Sequence, residues 1–327
     1  MVHIAFVIDP IETLNLNKDS TLAMIRAAQQ REWRISILEQ SDLAWDGERV
    51  IAFTRDLRLE DGFAKSLDPA QASSQWFQCA EEEALPLGEI NIVMMRKDPP
   101  FDMDYIYSTY LLERGQSEGA LVVNNPRSLR DCNEKFFATA FANFQPPSLV
   151  SSREDLLLAF HRKHHDVIFK KLDSMGGVSI FRVSESDPNV RVIVETLTDD
   201  GKHQIMAQKY IPEIVDGDKR ILLIDGEPLP YALARIPAAG ETRGNLAAGG
   251  TGVGQPLSPR DKEIAEALGS ELRARGLMFV GIDVIGDYLT EVNVTCPTCI
   301  REIDASFELD IAAMLLDAIE QKLRDAQ

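Results

Sequence analysis

Residues 279–294, FVGIDVIGDYLTEVNV, constrain the fold more tightly than any other stretch. Side chains alternate between the two faces of a strand, so Val280, Ile282 and Val284 point one way. Val292 and Val294 must join them on that apolar face. This condition sets Ile282 opposite Val292 in an antiparallel hairpin. It leaves Gly286, Asp287 and Tyr288 as a three-residue loop, a common length where glycine is present. The same register places Asp283 opposite Glu291, with Asn293 next along. Two carboxylates and an amide oxygen on one face are hard donors of the kind that hold Mg²⁺ together with water and substrate phosphates. A solvent-facing acidic strand pair fits the same pattern, and the hairpin alone does not separate the two.

Upstream, short apolar runs alternate with helical segments. HIAFVI (3–8), RISILE (34–39), INIVMMR (90–96) and ALVVN (120–124) are predicted strands, the first an unbroken apolar run of the kind buried in parallel sheets. Asp19 and Ser20 cap a helix predicted to reach Arg31, and 103–118 is a second. This β-α-β rhythm predicts an open α/β domain over 1–124. Residues 42–85, with three glutamates at 81–83, show no clear pattern. Beyond 125 the texture changes. One long helix is predicted over 128–144, strands over 166–172, 178–183 and 204–211, and a helix over 189–198. RILLID and LPYALARI form an antiparallel pair about Gly226. Residues 236–256 hold six glycines and few apolar anchors, which predicts a long flexible loop, usually a functional segment. Ser258-Pro259 opens a helix with Ile264, Leu268 and Leu272 on one face, and a last helix is expected over 309–324. The expected division is 1–124, 125–203 and 204–327.

Composition then removes whole classes of function. Acids outnumber bases 52 to 34 across 327 residues, a net charge of −18 with no basic patch. Such a surface repels phosphate backbones and anionic lipid, so neither nucleic acid nor membrane is an expected partner. No apolar run approaches the ~20 residues of a membrane span. The opening MVHIAFVIDP has no basic leader of the signal-peptide kind. Four cysteines (Cys79, Cys132, Cys296, Cys299) are too few for a disulfide framework, and the expected compartment is the cytoplasm.

Lys170 ends an apolar strand and LDSMGG follows it. Glycines let backbone amides approach phosphate oxygens, and a strand-end lysine adds a point charge. Neither G-x-x-x-x-G-K-[ST] nor G-x-G-x-x-G occurs, and a tight hairpin turn would explain the same glycines. Lys135 and Arg235, read singly, are surface cations. Together with the acidic hairpin and the glycine-rich loop they supply what phosphoryl transfer needs: cations, a metal and a segment that closes.

Six segments, MRKDPPFD, SLRDCNEKFF, MGGVSIFRV, DGDKR, ARIPAAGETRGNLAAGG and DVIGDYLTEVNVTCPTCIREI, resemble bacterial glutathione synthetase in order and spacing over nearly the whole chain. The resemblance implies the α+β ATP-grasp fold, with two subdomains after the N-terminal α/β domain and nucleotide between them. It implies ligation of γ-glutamylcysteine to glycine through an acyl phosphate, with ATP consumed to ADP and phosphate. It places Lys135 and Lys170 on the ATP phosphates, with Gly176 and Gly177 in the loop above them. Gln208, Lys209, Tyr210 and Ile211 become the adenine hinge, and Asp218 accepts from the ribose. Arg235 holds the transferring phosphoryl group. Asp283, Glu291 and Asn293 become ligands of Mg²⁺, with Mn²⁺ as the alternative ion. Residues 236–254 become a lid whose Arg243 and Asn245 face the reaction centre. Arg96 and Arg301 are the candidates for substrate carboxylates, with Asn245 as a further substrate contact. A homotetramer is implied as well. Departures are Lys171 and Ser174 in KKLDSMGG, where K-P-L-D-G-x-G-G is usual, Cys296 where serine is common, and extra length over 59–85.

Other readings compete. Cys296-Pro297-Thr298-Cys299 is similar to a glutaredoxin-type pair, but only 28 residues follow it, too few for such a domain, and no second C-x-x-C offers zinc ligands. His161, His164 and His165 share helical spacing in HRKHHD, a stretch polar on every side and expected in solvent. A D-alanine–D-alanine or glutamate-adding ATP-grasp ligase would share the nucleotide half, and MRKDPPFD and CPTCIREI are the discriminating segments. A nucleotide-binding regulator without turnover would have little need of the metal trio and the lysines.

Overall fold

The computed structural model describes residues 1–241, 243, 244, 246 and 249–325. Its first sheet comprises β1 (His3–Val7), β2 (Arg34–Leu38), β3 (Leu43–Trp45), β4 (Val50–Leu59), β5 (Phe77–Pro86), β6 (Ile92–Met95) and β7 (Leu121–Val123). The order is β3-β4-β2-β1-β6-β7, with β5 paired to β4. The four strands β2, β1, β6 and β7 are parallel. Parallel neighbours need crossovers, which α1 (Ser20–Gln30) and α3 (Met103–Ser117) supply; α2 (Asp61–Ser66) lies between β4 and β5. As predicted, Asp19 caps α1: its Oδ1 accepts from the amides of Thr21 and Leu22 at 2.7 and 3.1 Å. Residues 42–85, patternless in the sequence, are largely an antiparallel extension of this sheet. The outer strand β5 is exposed over most of its length, so no buried face imposes alternation on it. Its Glu83 and Asp56 of β4 share Arg34 at 2.5 and 3.0 Å.

The single helix predicted over 128–144 is instead two pieces, α4 (Pro126–Asp131) and a 3₁₀ segment Phe137–Phe144 that kinks at Phe141. Asn133 makes the break. Its Oδ1 accepts from the amides of Lys135 and Phe136 at 3.1 and 2.9 Å, while its Nδ2 donates to the Leu172 carbonyl at 2.8 Å. A side chain that takes over backbone donors in this way competes with the helix ladder. The second sheet follows, antiparallel, in the order β10 (Ile180–Val183), β9 (Val167–Lys171), β11 (Ile205–Lys209), β8 (Ser148–Ser151). With α5 (Glu154–His164) and α6 (Val190–Thr198) it encloses its own core around Leu157, Phe169, Val194 and Ile205. His161 belongs inside: it is buried, with Nε2 3.0 Å from the Ser184 carbonyl, contrary to the expectation of a wholly solvated histidine face.

The third sheet has the order β14 (Thr251–Pro256), β13 (Glu227–Ile236), β12 (Asp218–Ile224), β15 (Phe279–Ile285), β16 (Tyr288–Asn293). Ile282 faces Val292 and Asp283 faces Glu291, the register that the apolar face demanded. A bulge after Asp283 then shifts the pairing, so Ile285 meets Tyr288 and the turn is two residues, Gly286-Asp287, not three. The predicted loop 236–256 is likewise shorter, because β14 takes its last six residues into the sheet against β13. Ser258 and Asp261 form a reciprocal cap on α7 (Pro259–Ala274). A short helix the sequence reading missed, α8 (Ile300–Phe307), precedes α9 (Ile311–Asp325). Helix α9 returns to α1, where Arg31 Nη2 donates to the Ala313 carbonyl at 2.9 Å and pairs with Asp317 at 2.5 Å. First and third sheets share one core, including Val7, Met95, Val280 and Val292. Asn124 locks them: Nδ2 donates to the carbonyls of Phe279 and Val294, and Oδ1 accepts from the Phe279 amide. Among the described residues no helix is long and apolar enough to cross a membrane.

Candidate active site

A cavity of about 640 Å³ opens where the three sheets meet. Its first wall is the carboxyl end of the parallel sheet. The chain places β2 on one side of β1 and β6 on the other, and open α/β sheets form a crevice at such a reversal. Ile8 and Asp9 follow β1 there, and Arg96 and Asp98 follow β6. Arg96 is buried and held by two bonds, Nε to Thr21 Oγ1 at 3.2 Å and Nη2 to the Pro297 carbonyl at 2.8 Å.

The second sheet contributes the buried Lys170, and the link after α4 contributes the buried Lys135. Alternation turns Lys170 inward, 4% exposed, and leaves Lys171 half-buried on the other face. Lys170 Nζ donates to Gln208 Oε1 at 3.3 Å and stands 3.9 Å from Glu291 Oε1. Burial pulls its pKa down despite Glu291. Lys135 Nζ bonds Glu134 and the Ser174 carbonyl, each at 2.5 Å. Burial opposes its charge too, but Glu291 and Glu134 outweigh burial and raise its pKa. Ser174 and Met175 lead into Gly176 and Gly177, at φ +65° and +82°, left-handed values that favour glycine. Gln208, Lys209, Tyr210 and Ile211 continue the wall where β11 ends, and the Arg182 guanidinium lies 3.7 Å from the Tyr210 ring centroid.

Cross-strand pairing builds the third wall. Asp218 lies opposite Arg235, and Arg220 opposite Asp283. Asp283, 2% exposed, accepts from Arg220 Nε and Nη2 at 2.6 and 3.0 Å and from Asn293 Nδ2 at 3.2 Å, with Arg235 Nη2 3.0 Å away. Burial alone would raise its pKa; Arg220 and Arg235 reverse that and hold the carboxyl well below the usual range. Asp218 keeps one oxygen on Arg235 at 2.5 Å, while its buried Oδ1 has no partner among the described residues. Burial wins here over Arg235, and the pKa is pushed up to about 7. Gly281 must be glycine for this packing, because a Cβ there would stand 2.9 Å from Arg220 Cδ.

The described part of the 236–254 segment touches both neighbouring walls. Arg243 Nη1 donates to the Gly177 carbonyl at 3.4 Å. A Cβ at Gly244 would lie 2.3 Å from the Arg235 carbonyl oxygen, so only glycine lets the segment approach so closely.

Most of the expected site residues border this one cavity: Arg96, Lys135, Lys170, Gly176, Gly177, Gln208, Lys209, Tyr210, Ile211, Asp218, Arg235, Arg243, Glu291 and Asn293. Asp283 stands just behind, covered by its arginines. Arg301 is not brought in; its guanidinium donates to the backbone carbonyls of Leu16 and Leu67, which fixes it away from the cavity. Asn245 lies outside the described residues. Arg220 and Glu134 were missed. Arg220 sat in a quoted motif, DGDKR, without a role; the signal that could have found it is the charge of Asp283, which a neighbouring strand has to match. Among the described residues no three His, Cys, Asp or Glu side chains cluster to hold a metal. The expected set mixes two carboxylates with an amide, and Glu291 and Asn293 turn oxygen-bearing side chains to the cavity.

Comparison with known proteins assigns the family. Residues 2–130 match the prokaryotic glutathione synthetase N-terminal domain and residues 134–308 the ATP-grasp domain of the same enzyme. The chain is 57% identical over 322 residues to a glutathione synthetase of Pseudomonas aeruginosa, covering 98% of each. It is 53% identical over 323 residues to that of Shewanella oneidensis, covering 99% of each. Among solved structures it resembles a D-cycloserine synthetase (TM-score 0.66, 13% identity, covering 98% of this chain and 99% of that one). It also resembles an ATP-grasp ligase complexed with a minimal precursor, Mg and ADP (TM-score 0.60, 16% identity, covering 98% of each). These two likenesses speak for the fold alone. By sequence and architecture together, the chain belongs to the prokaryotic glutathione synthetase family, ATP-dependent ligases of the ATP-grasp fold.

Proposed function

We propose that the cavity joins γ-glutamylcysteine to glycine, with ATP activating the cysteinyl carboxylate. The observation that carries this reading is the convergence of Lys135, Lys170, Arg220, Arg235 and Arg243 with Glu291 and Asn293 around one space. A carboxylate is a poor electrophile. Its oxygen attacks the γ-phosphorus, ADP leaves, and the acyl phosphate then presents a good leaving group. The glycine amine adds to that carbonyl and loses a proton as phosphate departs. Every stage needs positioned cations more than a protein nucleophile.

Lys135 and Lys170 bind the ATP phosphates beneath Gly176 and Gly177. A phosphate arriving beside Lys170 supplies negative charge that favours its ammonium against burial. Gln208, Lys209, Tyr210 and Ile211 receive the adenine, and the unpartnered Asp218 Oδ1 accepts from a ribose hydroxyl. Arg235 steadies the transferring phosphoryl group. Asp283, Glu291 and Asn293 would hold Mg²⁺, or Mn²⁺. They fit such an ion, being hard oxygen donors, with Glu291 and Asn293 on the cavity wall and the unbonded Asp218 Oδ1 on the same wall. The ion would neutralise charge on the phosphates. Arg96 takes a substrate carboxylate. Residues 236–254, with Arg243 and Asn245, keep water from the acyl phosphate, and the reach of Arg243 to Gly177 supports that reading. The division into 1–124, 125–203 and 204–327, a cytoplasmic setting and a homotetramer complete the proposal; four free cysteines suit a reducing compartment. Phosphate release is measured with ATP, Mg²⁺, γ-glutamylcysteine and glycine, omitting each in turn. Loss of release on every omission is expected. Turnover with two D-alanines instead would overturn the substrate assignment.

A further inference from the structure

We infer that Glu302 is the anchor for a primary ammonium at the peptide end of the cavity, and so a specificity residue for the γ-glutamyl group. Glu302 lies in the first turn of α8 and borders the cavity. Helix α8 is seated on the start of α1, where the Ile300 amide donates to Ser20 Oγ at 3.3 Å, and Ser20 and Thr21 border the cavity with Glu302. Its Oε2 is shut off from water and has no hydrogen-bond partner among the described residues. Several other carboxylates there have partners: Asp9 with Lys97 at 2.7 Å, Glu134 with Lys135 and Asp98 with Thr295 Oγ1. The other buried oxygen of the wall without a partner among the described residues, Asp218 Oδ1, is the one the proposed function gives to the ribose. A buried carboxylate oxygen left without a donor costs free energy, and such a group in a native wall calls for a ligand that supplies the donor. Burial raises the Glu302 pKa, and the charges of Arg301, Lys18 and Arg220 offset it only in part.

The chemistry of that ligand follows from the proposed reaction, on which this inference rests. γ-Glutamylcysteine carries one cation, the α-ammonium of its glutamyl residue. Its cysteinyl carboxylate must reach the phosphoryl group among the lysines and arginines, which sends the ammonium to the far end. Arg301, Lys18 and Arg220 act on Glu302 electrostatically, and Lys18 and Arg220 are also on the wall. An anion beside a cation matches the zwitterionic head of an amino acid. Glycine brings an ammonium too, but its nitrogen has to be delivered uncharged to the acyl carbon, where a carboxylate that pins an ammonium would work against attack.

The test compares the full-length enzyme with Glu302→Gln, which keeps shape and removes charge. The substrates are γ-glutamylcysteine and glutarylcysteine, the same peptide without the amino group. The intact enzyme should prefer γ-glutamylcysteine by about 10- to 100-fold in kcat/KM, the worth of a charge-assisted hydrogen bond. Glu302→Gln should shrink that preference to a few-fold, mainly by raising the γ-glutamylcysteine KM, with the KM values for ATP and glycine unchanged. An unchanged preference overturns the assignment, as does a rise confined to the glycine KM. A uniform loss for both peptides would mean a structural role and overturns it equally. If the unmutated chain makes no product from γ-glutamylcysteine, the proposed function fails first and takes this inference with it.

Discussion

Two groups of charges face one another across the cavity, and they are built differently. On the third sheet, Arg220 and Arg235 lock onto Asp283, with Arg235 also on Asp218, at 2.5–3.0 Å. Asp218 with Arg235 and Arg220 with Asp283 are partners across adjacent strands, and Arg235 reaches Asp283 over β12, all set by register before any ligand arrives. On the second sheet, Lys170 has only a 3.3 Å bond to Gln208 and a 3.9 Å approach to Glu291, and burial works against its charge. Asp283 is matched before any ligand arrives; Lys170 is not. Guanidinium forks suit a preorganised frame, whereas ammonium groups are point charges that accept an incoming phosphate.

Removing the shared element of the locked group should have the largest effect. Arg235→Met strips Asp218 and Asp283 of a common partner. Turnover should fall about 10³-fold or more, and denaturant melts should show a loss of about 3–5 kcal/mol, the usual cost of breaking a buried pair from one side. Turnover within tenfold of the parent would break the comparison. The open group should respond in binding instead. Lys170→Ala should weaken ATP by about 10- to 100-fold with stability little changed, while Lys171→Ala, on the opposite face, should leave ATP affinity within about twofold. Calorimetric titration reads both, and equal effects would break the face assignment.

A gentler probe separates two carboxylates inside the locked group. Asp218 has its pKa raised from 3.8 to about 7, so the folded state holds a proton that the unfolded state has lost. Its contribution is complete below about pH 4 and disappears as pH climbs through about 7. Asp283 is shifted the other way, and its contribution is present above about pH 4 and is lost as pH falls further. Ligand-free Asp218→Asn should therefore lose less stability than the parent between pH 5 and 8, a difference of about 2–3 kcal/mol, read from urea midpoints. A parallel pH profile in the two proteins would show that Asp218 is charged throughout. The smallest effect belongs to the exposed edge. Glu83→Gln on β5 should move stability by no more than about 0.5 kcal/mol and leave every KM unchanged.

The legible parts of this chain were those with a buried face. Val280, Ile282, Val292 and Val294 can share a core only in one register, so the pairing of Asp283 with Glu291 followed from parity. The phase of Lys170 and Lys171 was legible for the same reason. What escaped was decided by side chains acting on backbone or by pairing with distant strands. Asn133 ends a helix that apolar spacing alone would have continued to Phe144. Strand β5 has no buried face to leave a period in the sequence. Arg220 gains its meaning from Asp283, 63 residues away, and Arg301 loses its expected place because two backbone carbonyls claim it. The resemblance supplied nearly all of the remaining site, residue by residue, where periodicity was silent.

The reversal of strand order in the first sheet has a consequence for how such an enzyme can change. The crevice at the ends of β1 and β6 exists because of chain topology, and Asp9, Arg96 and Asp98 occupy it without belonging to the lysine and arginine groups. On the proposed function, Arg96 puts part of acyl-donor recognition in a stretch of chain apart from the activating residues. A few loop substitutions at those strand ends, or in the first turn of α8, could retune which carboxylic acid is admitted. The phosphoryl-handling half would carry on unaltered, an interchangeable front end on a fixed engine.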